Sequence, residues 1–95
     1  MAGYVIVDVE SHDEEGYAEY RSRVQPTLDA YGGEFLVRGG RHEIVEGDWR
    51  PTRLVVLRFE SLARAKEWYA SPEYQAILPL RLRNARSDMV MVEGV

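Results

Sequence analysis

Residues 53–74, RLVVLRFESLARAKEWYASPEY, decide the architecture of this chain. Leu54, Val55, Val56, Leu57 and Phe59 form an apolar, β-branched run that reads as a strand, and Ser61 then caps a segment whose apolar positions recur at helical spacing. Ser71-Pro72 repeats the signal, a cap followed by proline in the first turn, so two short helices meet where Trp68, Tyr69 and Tyr74 gather.

Upstream, Val5, Val7 and Val9 alternate with Tyr4, Ile6, Asp8 and Glu10, the period of a strand with one dry and one mixed face. Ser11-His12-Asp13-Glu14 has the spacing of a capping box, with Ser11 or Asp13 as the cap. A helix follows, with an apolar stripe of Tyr17, Tyr20, Val24, Leu28 and Tyr31 and a polar face carrying Glu19, Arg21, Arg23 and Asp29. Pro26 predicts a kink or short break near Arg23 to Gln25. Gly32-Gly33 ends that helix, and a second strand follows in which Glu34, Leu36 and Arg38 alternate with Phe35 and Val37. Gly39-Gly40 marks a bulge or turn, His42 to Glu46 a short strand-like piece, and GDWRP a loop. After Tyr74 the helical pattern continues through Ile77, Leu78, Leu80 and Leu82 with Pro79 as a second interruption, and Met89 to Glu93 closes as a strand.

The order strand, helix, strand, strand, helix, strand predicts an α+β chain, the ferredoxin-like split βαβ with an antiparallel sheet, as a single domain over residues 1–95. Both helices then cover one face of the sheet. The other face would carry Tyr4, Ile6, Asp8, Leu36, Arg38, Leu54, Val56 and Arg58, too apolar to stand open in water and too charged for a core. That predicts a homodimer closing sheet on sheet over a partly polar space.

Composition narrows the partners. A net charge of −4 and a pI near 5.1 argue against nucleic acid or an anionic membrane surface. The absence of cysteine excludes thiolate catalysis, disulfides and Cys-based zinc sites, and suits a reducing compartment. The first ten residues, MAGYVIVDVE, have neither the basic flank of a signal peptide nor the length of a span, so a cytoplasmic location is expected.

The stretches YGGEFLVRGG, EGDWRPTRLVVLRF, AKEWYASPEYQAILPLR and SDMVMVEG together resemble the domain of unknown function 1330 family, over nearly the whole chain. The resemblance implies the dimeric α+β barrel, in which two ferredoxin-like subunits join sheet to sheet. It implies no single chemistry, because the wider fold includes cofactor-free oxygenases, isomerases of small acids, haem enzymes and pure binding proteins.

The candidate site residues each carry two readings. Arg38 and Arg58 with Asp8 would hold a carboxylate or enolate inside the barrel, or else form ion pairs at its rim. Trp49 would lid a cavity or anchor a dimer contact, and Tyr69 and Tyr74 would present hydroxyls to a pocket at the helix joint or sit in the core. His42, between Arg41 and Glu43, would act as a base near neutral pH or remain a surface turn residue. Two histidines without spaced carboxylates make no metal or haem site, so neither metal nor cofactor is expected. Arg38-Gly39-Gly40-Arg41 reads as a turn, and neither a phosphate loop nor a nucleophile elbow is present. The expected function is small organic acid or aromatic compound binding in a cavity at the sheet face or helix joint. The alternatives are a cofactor-independent monooxygenase or isomerase and a structural or regulatory dimer without a pocket.

Overall fold

The computed structural model describes all of residues 1–95. In chain order the elements are β1 (Gly3–Ser11), α1 (Glu14–Tyr31), β2 (Glu34–Arg38), β3 (Leu54–Phe59), α2 (Leu62–Ala70), α3 (Pro72–Asn84) and β4 (Ala85–Glu93). The strands form one antiparallel sheet in the order β2-β3-β1-β4, each βα unit straddling a strand of the other, which is the ferredoxin-like α+β fold.

Capping positions the helices. Asp13 caps α1 by accepting from the Gly16 amide at 3.2 Å, while Ser11 bonds the Glu14 carboxylate instead. Ser71 joins α2 to α3: its hydroxyl donates to the Trp68 carbonyl at 2.7 Å and accepts from the Tyr74 amide at 3.1 Å. Gly32 ends α1 at φ 71°, where a side chain would be strained. Gly3 is needed for a different reason, because a Cβ there would stand 2.5 Å from the Ser61 and Leu62 backbone at the start of α2.

Four expectations are corrected. Helix α1 runs through Pro26 without a break, and α3 through Pro79. The carbonyls these prolines leave unpaired, on Ser22 and Gln75, belong to exposed residues that water reaches. Residues 42–46 form no strand, because β2 is the sheet edge and its only partner is β3. In α3 the buried stripe is Tyr74, Ile77, Leu78 and Arg81, whereas Leu82 is 59% exposed. The fourth correction bears on function. A bulge at Leu36 breaks the alternation of β2, so that Val37 pairs with Val56 on the outer face and Arg38 pairs with Val55 on the helix side.

The core lies between helices and sheet. Val5, Val7, Val9, Val55, Leu57 and Phe59 meet Tyr17, Tyr20, Val24, Leu28, Trp68, Tyr74, Ile77 and Leu78, all buried. Trp68 is its centre, with its ring 4.1 Å from Tyr74 and 5.4 Å from Phe59 and its indole N–H donated to the Thr27 hydroxyl at 3.0 Å.

Candidate functional site

Between α1 and the inner face of the sheet the packing leaves a cavity of about 30 Å³, room for about two waters. Val7 and Val9 of β1, Val55 and Leu57 of β3, Phe35 of β2, Met89 of β4, Val24 of α1 and Trp68 of α2 make its walls apolar. Tyr17 and Tyr20 add phenols, and four arginines complete it: Arg21, Arg38, Arg53 and Arg81. An outer polar recess of about 350 Å³ shares Val9, Tyr17, Arg21 and Arg53 with the cavity and adds Ser11, Glu14, Gly39 and Thr52. The recess therefore adjoins the cavity as a vestibule along these four residues.

Each arginine is placed by its element. Arg81 sits one helical turn beyond Ile77 and two beyond Tyr74 on the apolar stripe of α3 and is 4% exposed. Its Nε–H donates to the Tyr74 hydroxyl at 3.3 Å and its NH1 to the Ser87 hydroxyl. Arg38 stacks over Phe35 at 4.2 Å and donates to the Arg21 carbonyl at 3.2 Å. Arg21 lies over the Tyr17 ring at 5.6 Å, and its buried Nε–H has no acceptor. Arg53 follows a turn that Asp8 holds by accepting from the amides of Thr52 at 2.8 Å and Arg53 at 3.2 Å.

No carboxylate balances this charge inside the cavity. The three ion pairs of the molecule are Arg23–Glu19, Arg58–Glu34 and Arg64–Glu67, all between exposed side chains. Burial works against the Arg81 charge, but the oxygens of Tyr74 and Tyr20 outweigh it and hold the guanidinium above its ordinary value. Burial, reinforced by Tyr74, pushes the Tyr20 phenol far up. Burial also raises Tyr17, against the pull of Arg53, Arg81 and Arg21. Both phenols are therefore hydrogen-bond donors at any physiological pH.

The residues singled out in the sequence are scattered relative to this site. Arg38 lines it, and Tyr74 stands directly behind it, fully buried, its hydroxyl 2.8 Å from that of Tyr20. Tyr69 is half-buried against Trp68 and Tyr74. The expected Asp8–Arg38–Arg58 cluster does not form: the Leu36 bulge takes Arg38 to the other face, Arg58 pairs with Glu34 at 3.7 Å, and Asp8 anchors the loop before β3. Trp49, 60% exposed, donates its indole N–H to Asp8 at 3.3 Å, and with His42 it lines a surface groove beside Ile44 and Val45. Neither residue reaches the cavity.

Arg21, Arg53, Arg81, Tyr17 and Tyr20 were not marked by sequence reasoning as site residues. The signal existed for Arg81, an arginine three and four residues after Leu78 and Ile77, inside an apolar stripe. Arg21 looks like a polar-face residue by spacing and gives no such sign.

The match to known proteins now has a geometry to stand on. The model for a domain of unknown function, DUF1330, matches residues 2–95. The chain belongs to the DUF1330 family. No curated protein matches this DUF1330 domain. Among solved structures, a protein of unknown function from Rhodopseudomonas palustris is similar with a TM-score of 0.78 at 18% identity, over 99% of this chain and 82% of that one. A dimeric ferredoxin-like protein of unknown function from Jannaschia sp. CCS1 gives 0.66 at 15% identity, covering 99% of this chain and 100% of the other. SnoaB, a cofactor-independent oxygenase from Streptomyces nogalater, gives 0.57 at 11% identity over 99% and 93% of the two chains. At such identities the likeness is one of fold.

Proposed function

We infer that this DUF1330 domain is a homodimer that binds a small organic anion in the helix-side cavity of each protomer. The observation that carries this is Arg81, a guanidinium 4% exposed in the wall of an apolar cavity, with hydroxyls but no carboxylate beside it. A buried charge is costly unless something of opposite sign completes it, and the free protein supplies nothing of that sign at this point. A carboxylate or enolate would do so, entering through the vestibule past Arg21 and Arg53.

The dimer is supported by the outer face of the sheet. Val37, Val56, Ile6 and Val90 align in one row across all four strands, with Val37 38% and Val90 59% exposed. The rows beside it are mixed, Glu34 and Arg58 with Tyr4 and Val92 on one side and Asp8 and Asp88 with Leu54 on the other. An apolar centre with a polar rim is the anatomy of a protein interface.

The test is a thermal-shift series of benzoate, salicylate and short aliphatic carboxylates against their neutral amides. Only the anions should raise the melting temperature, in proportion to occupancy. A flat response across all carboxylates refutes the anion site.

A second reading is favoured by the make-up of the cavity, anion-stabilising donors within apolar walls, and by the fold shared with SnoaB. Here the anion would be an acidic enol or phenol that reacts with dioxygen while its charge is held. Oxygen uptake on mixing with such a compound distinguishes this from simple binding.

A further inference from the structure

The hydrogen-bond chain behind the cavity has a direction. Tyr74 is fully buried and its oxygen accepts from the Arg81 Nε–H at 3.3 Å. The hydroxyl proton of Tyr74 has one acceptor in reach, the Tyr20 oxygen at 2.8 Å. Donation from Arg81 to Tyr74 and from Tyr74 to Tyr20 satisfies every group on the way, and the opposite sense strands the Tyr74 proton in the core. Tyr20 then accepts from Tyr74, and its own proton has no acceptor in the protein. The next residue on α1 repeats the situation, because the buried Nε–H of Arg21 also lacks a partner. Both side chains line the cavity.

We propose that the cavity receives its anion on these two orphan donors, the Tyr20 hydroxyl and the Arg21 Nε–H, with Tyr74 as the positioning residue that orients and polarises Tyr20 and Arg81 as the wall charge that the anion balances. The proposal deepens the anion-binding reading and rests on it. Two donors on the wall of one cavity suit a small anion, a carboxylate or an enolate, whose lone pairs they can share. The inner volume of about 30 Å³ has room for that head group, and the vestibule of about 350 Å³ for the rest of the molecule.

The chemistry of the lining also sets the state in which the ligand arrives. Facing the cavity are Tyr17, Tyr20 and Arg21 from α1, Arg38 from β2, Arg53 from the loop before β3 and Arg81 from α3. All of these are phenols or guanidinium groups, and Glu14, the one carboxylate near, lines the vestibule, bonded to Ser11. The site has donors and no base. Its ligand is therefore a compound that ionises on its own, an acid or an acidic enol, and not a carbon acid awaiting deprotonation.

The probe is 4-nitrophenol, whose acid and anion differ in colour, titrated into the full-length protein below the pH at which it ionises in water. The wild type should bind it as the phenolate. Tyr20→Phe should weaken binding about tenfold to a hundredfold, the worth of a hydrogen bond to a charged group, and shift the bound probe back toward the phenol. Tyr74→Phe, which keeps the Tyr20 donor and loses its polarisation, should weaken it only several-fold. Arg21→Met, at a half-exposed position, should cost about tenfold and covers the case in which Tyr20→Phe fails to fold. Wild-type affinity and colour in both Tyr20→Phe and Arg21→Met overturn the proposal and leave the anion cavity standing. If neither this probe nor any carboxylate binds the wild type, the cavity reading falls and takes the proposal with it.

Discussion

The two faces of the sheet carry the same kinds of residue to opposite ends. On the outer face Arg58 meets Glu34 at 3.7 Å, both side chains about half exposed, and Asp8 spends its lone pairs on the amides of the loop before β3. Charge there is wet, and the apolar row through Ile6 and Val56 is what lacks a partner. On the helix face the apolar surface is fully used, and what lacks a partner is charge: Arg81 without a carboxylate, Arg21 with an orphan N–H. Each face is incomplete in one respect, and the missing piece differs. Apolar surface is covered by another protein surface, charge in a closed cavity by a small ion.

The sharpest way to break this contrast is Arg81→Met. It removes the buried charge while keeping much of the volume, so the fold should survive and anion affinity should fall by about a hundredfold or more in calorimetry. Retained binding would mean that the charge on the inner face is structural. Next in size, Ile6→Arg puts a charge at the centre of the outer row and should raise the dimer dissociation constant by about two orders of magnitude, seen by sedimentation, with the monomer still folded and its cavity intact. A wild type that sediments as a folded monomer at micromolar concentration would remove the interface altogether.

Smaller is the effect of alkali. Burial holds Tyr20 above the value 10.0 of a free phenol, so the unfolded chain loses this proton first. Stability from this group is complete below that value and declines as pH rises above it, and Tyr20→Phe should flatten the decline in denaturant melts. Least of all should be Arg58→Ala. An exposed pair is worth about 0–1 kcal/mol, and neither stability nor anion binding should move beyond that range.

Much of the fold was legible from local signals. Alternation in residues 4–10, the caps at Asp13, Ser61 and Ser71, and the glycines after Tyr31 each state their element without help from the rest of the chain. The prolines misled because the penalty of a helical proline depends on whether the freed carbonyl meets water, a tertiary fact. Arg38 misled for a similar reason, since one bulged residue reverses the face of everything after it and nothing in EFLVR announces the bulge.

What the amino-acid sequence determined by itself was the order of elements, the ferredoxin-like topology that follows from it, and the outward place of Ile6 and Val56, because periodicity and capping act over a few residues; Val37 joins their row only through the bulge. The site was decided only in three dimensions. Its arginines come from positions 21, 38, 53 and 81, on two helices, an edge strand and a loop, and it took their convergence on one apolar cavity to show that their charge has no partner in the chain.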